Sequence, residues 1–483
     1  MGKSVLKKDI ISGIILQGIE RFSTQGIQFI VSVILARLLA PEDFGLIALV
    51  TVFLVISDIF IDGGFRNSII QSQDINNTAL NSVFWCNLTV ALVIYAVLWL
   101  SAATVANFYR QPLLEKLLRV IGIIAVLHSL AIVNNALLIK KMLFRVKLRI
   151  TMIAIIISAS VGITMAYCGF GVWALVYMKV AEAAVLSLLV IFSVKWFPKF
   201  CFSWSQLAKH FNFGGKLLCI SLIDQLFLNG FQLFTGKYYS LTTLSFYNRG
   251  NSYAKLAMNT VNNTISVVMF PAFSKLQNNP AQLRNALRKS IRILMFLEIP
   301  LMFALWSCSF PLVILLLTDK WAASTYFFKW ACVEYLFWPL QVLNIWCIMA
   351  RGDSTTALKI EIIKKTLLAL GVLVTFSFGF KIMIAAWSAI SLLNFFFNSS
   401  PNGKALGYGA LQQLKDISPF IFIAIISAAI ASLCNFVSCD LWGQLAGRGV
   451  LFCATYLILS WLLQRSFILE FKNMLSSLRN PTE

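Results

Sequence analysis

Four runs of polar residues recur at helical spacing inside otherwise apolar sequence. Gln17, Arg21, Gln25, Gln28 and Ser32 follow one another at steps of 4, 4, 3 and 4. Thr51, Asp58, Asp62 and Arg66 share a face in the next apolar stretch. Farther on, Ser221, Gln225, Asn229 and Gln232 form a third run. Asn248, Ser252, Lys255, Asn259, Asn262 and Ser266 form a fourth, at steps of 4, 3, 4, 3 and 4. Steps of three and four keep residues on one side of an α-helix. An ionisable group in the middle of a lipid-spanning helix costs about 2.5–3.5 kcal/mol on insertion scales, so it turns toward protein or water. The four stripes therefore predict a hydrated cavity in which amides and hydroxyls replace the water around a polar solute. Arg21, Lys255 and Arg249 are its candidate cations. Glu20, Asp58, Asp62 and Asp224 are its carboxylates, and the three aspartates could bind a coupling ion. The competing reading is glue, since polar residues also join helices at about 0.6 kcal/mol per bond.

The chain that positions these residues has 483 of them, 59% hydrophobic and only 12% charged. Soluble globular chains have roughly 45–50% apolar and about 25% charged residues. A soluble enzyme, a disordered tail and a disulfide framework are all excluded by that composition. A span needs about 20 apolar residues, or roughly 35 with its connection, which leaves room for about fourteen helices and no catalytic domain. The net charge is +21, from 40 Lys+Arg against 19 Asp+Glu. The basic residues sit in short clusters between apolar runs, as membrane orientation demands, so no nucleic-acid partner is expected. Ten cysteines are scattered without a C-x-x-C pair. No cleavage pattern follows the basic start, and no removable signal peptide is expected.

The hydropathy pattern predicts an all-α integral membrane protein. Its helices fall at 10–36, 44–64, 79–107, 114–138, 150–168, 172–194, 214–236, 242–270, 291–317, 324–349, 360–378, 381–397, 417–436 and 448–467. With the N-terminus inside, 27 basic residues fall on the inner side and 10 on the outer. That bias places both termini in the cytoplasm. Residues 36–47 align in pattern with 236–247 at an offset of 200, and Gln25 falls on Gln225. Two parallel repeats follow, a six-helix lobe over 1–200 and another over 201–400, with a two-helix extension and cytoplasmic tail over 401–483. The striped helices occupy matching places in both lobes.

Catalytic signatures are missing from the sequence. It contains no P-loop, no H-E-x-x-H and no G-x-S-x-G. Its two histidines, His128 and His210, are far apart in sequence. No catalytic residue, metal site or cofactor is expected.

Several segments carry a resemblance. ARLLAPEDFGLIAL (36–49), DGGFRNSIIQ (62–71), GFGVWALV (169–176), FYNRG (246–250) and FPAFSKLQ (270–277) resemble the polysaccharide transporters of the multidrug/oligosaccharidyl-lipid/polysaccharide exporter superfamily. The likeness is greatest to the Wzx-type flippases for colanic-acid and related lipopolysaccharide or exopolysaccharide repeats, and it covers the chain to about residue 400. The resemblance implies two six-helix lobes around a central cavity, a C-terminal helix pair and alternating access in the bacterial inner membrane. Its substrate class is a polyprenyl-diphosphate-linked oligosaccharide. It also implies contact with membrane lipids, with a polysaccharide polymerase and with chain-length proteins. Carried over residue by residue, it marks Arg21, Arg37, Arg249 and Lys255 as cavity cations. With them stand the polar candidates Gln25, Gln28, Asn229, Gln232, Asn259 and Asn262. Asp58 and Asp62 stand where some relatives carry basic charge, which leaves the sign of the local field open.

Three rivals compete with this reading. A cation-coupled small-molecule antiporter of the same superfamily would have an acidic cavity. A membrane-embedded glycosyltransferase or polymerase would need a sizeable outer loop or a metal-binding acidic site. A structural scaffold would need no matched stripes.

Overall fold

The computed structural model describes the backbone of residues 3–72, 76–436, 440–465, 467 and 469. Side chains are described except at 3–17, 209–217, 219–221, 223–224, 227–228, 263–268 and 435–436. The described chain is helical throughout, with no strand. Its helices are α1 (Lys3–Leu38), α2 (Pro41–Asp62), α3 (Phe65–Gln71), α4 (Asn77–Tyr109), α5 (Pro112–Ile121) and α6 (Ile123–Lys140). Then follow α7 (Phe144–Tyr167), α8 (Val172–Val194), α9 (Trp204–Tyr238), α10 (Leu241–Lys275), α11 (Pro280–Leu317) and α12 (Ser324–Tyr335). The chain finishes with α13 (Trp338–Ala350), α14 (Ser354–Thr375), α15 (Phe380–Leu406), α16 (Ala410–Ser432) and α17 (Leu441–Leu463).

Each of the fourteen expected segments has a helix in its place, and two of them are broken. The stretch 114–138 divides at Gly122 into α5 and α6, and 324–349 divides after Tyr335 into α12 and α13. Among the described residues, ten stretches are long and apolar enough to cross a bilayer. They do not include α1, α9, α10 or α14. Three of these four carry the polar stripes, and α14 carries Lys359, Glu361, Lys364 and Lys365. Polar faces lower the mean hydropathy, so the helices of most chemical interest are the ones an apolar-length criterion passes over.

Local chemistry sets the helix ends. Pro41 opens α2 with Glu42 and Asp43 in the first turn, where negative charge meets the positive end of the helix dipole. Asp43 Oδ2 accepts from Ala40 N–H at 3.1 Å. Asn76, Asn279, Asp353 and Asp440 cap α4, α11, α14 and α17 by accepting from backbone N–H groups three residues on. Hydrogen bonds from Thr356 hold the exposed Asp353 carboxyl below the usual carboxylate range. At the end of α2, Gly63 (φ 50°) and Gly64 (φ 72°) are both left-handed, a pair that suits glycine and few other residues. The chain turns there and restarts as α3.

The chain forms two compact units, Met1–Ser245 and Phe246–Glu483. In the first, α7 packs on α8 and α1, α6 on α8 and α4, and α9 on α2 and α4. Leu35, Leu49, Val50, Leu114, Leu117 and Val176 are buried in its main core. In the second, α11 packs on α16, α12 and α17, and α15 on α14, α12 and α13. Phe273, Leu287, Ile291, Phe395 and Phe420 are fully buried there.

A polar seam runs through this second core. Asn344 Nδ2 donates to Gln413 Oε1, and Gln413 Nε2 donates back to Asn344 Oδ1, both at 2.9 Å. Asn402 Nδ2 donates to Asn344 Oδ1 at 2.8 Å, and Arg351 Nη2 donates to Asn402 Oδ1 at 3.1 Å. One turn away, Asn398 Nδ2 donates to Gln341 Oε1 at 3.0 Å. These amides join α13, α15 and α16 and fit the glue reading.

The ARLLAPEDFGLIAL motif has a packing reason at Gly45. A Cβ built there would lie 2.2 Å from the Leu241 carbonyl oxygen, a backbone atom at the start of α10. Gly45→Ala is therefore expected to destabilise the protein by about 1–3 kcal/mol, as overpacking does. The check is a lowered Tm of the purified protein, and an unchanged Tm would remove the close approach as a constraint.

Candidate functional site

The striped faces of α2 and α9 meet α6 around a polar cavity of about 530 Å³ inside the first unit. From α2 it receives Asp58 and Asp62, and from the residues after the glycine turn it receives Arg66 and Asn67. His128 and Asn135 come from α6, and Gln225 from α9. Val55, Ile59, Ile61, Ile132 and Leu186 supply apolar wall. The turn at Gly63–Gly64 matters here. It buries Phe65 and Ile69 while leaving Arg66 and Asn67 exposed at the cavity. The expected single face carrying Asp58, Asp62 and Arg66 is thus interrupted, because α2 stops at Asp62. Arg66 Nε still reaches to 3.7 Å from Asp62 Oδ1.

Asp58 Oδ1 lies 2.9 Å from His128 Nδ1, and both side chains are 40% exposed. Lys179 of α8 lies within electrostatic range of Asp58. The lining thus combines two carboxylates, a guanidinium, an imidazole and three amides. Those groups offer hydrogen bonds of both polarities, the set that hydroxyl-rich ligands need. The volume lies within the usual range of about 300–1,000 Å³ for small-molecule sites.

The other sequence candidates fall elsewhere. Arg21 and Gln28 are exposed on α1, Gln25 is half-buried, and none of the three lines this cavity. The neighbouring Glu20 pairs with Lys147 of α7 at 3.1 Å and accepts from Thr151 at 3.2 Å. Glu20 and Asp58, two of the carboxylates expected in the cavity, are thus engaged by Lys147 and His128. Arg37 is exposed in the last turn of α1. On α9, Asn229 Nδ2 donates to Gln225 Oε1 at 2.8 Å, one turn below the half-buried Gln232. On α10, Arg249 lies over the Trp321 ring at 5.2 Å, Lys255 is exposed, and Asn259 and Asn262 are half-buried. The Asp224 side chain lies outside the described residues.

Sequence reasoning missed His128, Asn67 and Asn135. His128 sits among apolar residues with no stripe of its own, so only the packing of α6 on α2 brings it to Asp58. Among the described residues no group of three His, Cys, Asp or Glu side chains could hold a metal ion.

A family profile described as "Polysaccharide biosynthesis protein" matches residues 34–326. The chain belongs to this family. Among curated members it is 25% identical over 305 residues to the succinoglycan biosynthesis transport protein ExoT of Rhizobium meliloti (strain 1021). That match covers 63% of this chain and 62% of the relative, so the chain spans less than two thirds of the relative's length. It is 22% identical over 394 residues to the teichuronic acid biosynthesis protein TuaB of Bacillus subtilis (strain 168), covering 81% of each. It is 24% identical over 327 residues to the lipopolysaccharide biosynthesis protein WzxC of Escherichia coli (strain K12), covering 65% of each. Among solved structures it is similar in fold to the lipid II flippase MurJ in its inward closed conformation. There the TM-score is 0.75 at 15% identity, over 94% of this chain and all of that one. This polysaccharide biosynthesis family member is thus a multi-pass membrane protein of MurJ-like fold.

Half-exposed ion pairs contribute at most about 1 kcal/mol. Asp58→Asn and His128→Gln should therefore each change stability by less than about 1 kcal/mol, which makes them clean functional probes. Chemical denaturation of the purified variants checks this, and a much larger loss would show that the pair holds α2 to α6.

Proposed function

We propose that the chain is a flippase. It moves a polyprenyl-diphosphate-linked oligosaccharide across the bacterial inner membrane, for lipopolysaccharide or exopolysaccharide assembly, by alternating access of a hydrated cavity. It performs no bond chemistry. The observation that carries this reading is the polar cavity of about 530 Å³ set within a multi-pass member of a polysaccharide biosynthesis family. Sugar hydroxyls and a diphosphate cannot enter hydrocarbon without replacement hydrogen bonds. Asp58, Asp62, Asn67, His128, Asn135 and Gln225 would provide them for the sugar. Arg21, Arg37, Arg249 and Lys255 are the groups proposed for the diphosphate, since guanidinium grips phosphate oxygens in pairs and ammonium acts as a point charge. Gln25, Gln28, Asn229, Gln232, Asn259 and Asn262 complete the proposed wet path, and Asp58, Asp62 and Asp224 are its proposed ion-coupling groups. In this reading 1–200 and 201–400 act as repeat-related lobes and 401–483 as an extension. Both termini are cytoplasmic, and a polymerase and chain-length proteins receive the product.

One observation favours a second reading. Asp58 and Asp62 make the described cavity rich in carboxylates, as a cation-coupled antiporter for small cationic molecules would require. The two readings separate in proteoliposomes. The flippase reading expects wild-type protein to move a fluorescent polyprenyl-diphosphate oligosaccharide between leaflets and to leave organic cations untransported. Cation efflux without lipid movement would overturn it.

Arg21→Ala and Lys255→Ala should insert normally yet lower surface polysaccharide by about tenfold or more, since charge-assisted hydrogen bonds contribute about 1.5–3 kcal/mol. Normal polymer levels in both would remove these residues from the path. Lys141→Cys, in the exposed turn before α7, should react with an impermeant thiol reagent only from the cytoplasmic side. Labelling from outside would reverse the orientation.

A further inference from the structure

A buried acid in the second unit has no part in the cavity just described. Glu298, on α11, is 0% exposed. Among the described residues, neither of its carboxyl oxygens has a hydrogen-bond partner. An isolated carboxylate without partners is costly enough to bury that such a group takes up a proton instead. Glu334 on α12 is buried too, but it accepts from Trp387 Nε1 at 3.2 Å.

Among the described residues, the groups packed around Glu298 supply no counter-charge. Cys332 of α12 lies within electrostatic range of it, and Lys329 of the same helix is turned over the Trp306 ring at 5.0 Å. On α16, Asp416 is paired with Arg288 at 2.7 Å, ten residues earlier along α11. On α17, Arg448 donates to the Ser307 carbonyl and to Gln444, nine residues later along α11. Just after α13, Arg351 donates to Asn402. The charges of α15 and of residues 319–321 sit near the ends of those elements.

Two further features stand beside this acid. Pro300, two residues on, lies inside the helix, has no N–H and so cannot bond the Phe296 carbonyl. The Tyr456 hydroxyl of α17 takes up that carbonyl at 3.4 Å. A tertiary contact thus replaces a helical bond at a proline, the place where helices bend. One turn beyond Glu298, Met302 lines an apolar cavity of about 480 Å³ that Cys332 and Leu336 also line. Trp306 and Ile425, both exposed, line it too, so it is a groove open at the surface, and α11 is not tightly packed on that side.

We propose that Glu298 is a proton-binding site that controls bending of α11 at Pro300. The structure holds the protonated state, with the neutral carboxyl closed against α12. When α11 bends, the carboxyl meets solvent, its O–H bond breaks heterolytically, and the proton passes to water. Raised pH therefore favours the bent state, and lowered pH the closed one. This switch does not depend on what the protein transports, and the test below involves no substrate.

The test uses the full-length protein in lipid nanodiscs, with Glu298→Gln as a neutral mimic and Glu298→Met as an apolar one of similar length. Buried carboxyls can hold their proton to about pH 8–9. Infrared difference spectra between about pH 6 and pH 9 should show loss of a protonated-carboxyl C=O band in wild type that is missing from both variants. In parallel, mass spectrometry follows alkylation of Cys332, with the variants correcting for ordinary thiol ionisation. Wild type and variants should react alike at the lower pH, and wild type about tenfold faster at the higher, a shift of about 1.4 kcal/mol in the opening equilibrium. The same band in the variants, or equal Cys332 reactivity at both pH values, would overturn the proposal. So would failure of both variants to fold, because a neutral carboxyl without partners makes no contact that Gln and Met both lose.

Discussion

Polar atoms removed from water are costly to leave without partners inside the protein, and that cost shapes both units of this chain. The described helices satisfy most of their own backbone groups, so the demand falls largely on side chains. In the second unit Asn344, Gln413 and Asn402 meet it by closing on one another within the core. In the first unit Glu20 meets it through Lys147 and Thr151, and Asp58 through His128. The two solutions differ in exposure. The amide seam is sealed, whereas Asp58 and His128 open onto a cavity. A sealed network fixes helices in place, and an open one leaves hydrogen-bonding capacity for a ligand.

The same contrast links the fold to the proposed activity. The α2 backbone must turn at Gly63–Gly64, and that turn carries Arg66 and Asn67 to the cavity while Phe65 and Ile69 anchor it below. Motif residues that look like sequence punctuation are therefore parts of the cavity wall. Gly45 does related work at the other end of α2, where the backbone of Leu241 comes too close for any side chain.

Much of this was legible from residues alone. Each stretch that apolar runs mark as a span holds a helix, because segment length and hydropathy are local properties, although the described chain has seventeen α-helices and ten stretches apolar enough to cross a bilayer. The stripes on the second and seventh expected spans include Asp58, Asp62 and Gln225, which the structure brings to one cavity of the first unit. The divisions at Gly122 and after Tyr335 were not legible, since the flanking residues stay apolar across each break. His128 was missed for a different reason. Its partner lies 70 residues away, and nothing in helical periodicity records which faces of α2 and α6 meet. The pairing of the amides of α13 and α15 is not legible in sequence, because a lone Asn in an apolar run carries no sign of its partner. Glu298 and Glu334 looked alike in sequence, and only packing distinguishes the acid with a donor from the acid without one.

The central claim is that the polar cavity of the first unit receives the sugar of a lipid-linked saccharide. It is tested most directly by photo-crosslinking. A polyprenyl-diphosphate oligosaccharide with a photoreactive group on its glycan would be incorporated with the protein in nanodiscs, irradiated, and the adducts mapped by mass spectrometry. The account predicts adducts on the peptides that carry Asp58 to Asn67 and His128 to Asn135, reduced by excess unlabelled lipid. Competable adducts confined to other helices, with none on these two segments, would contradict it.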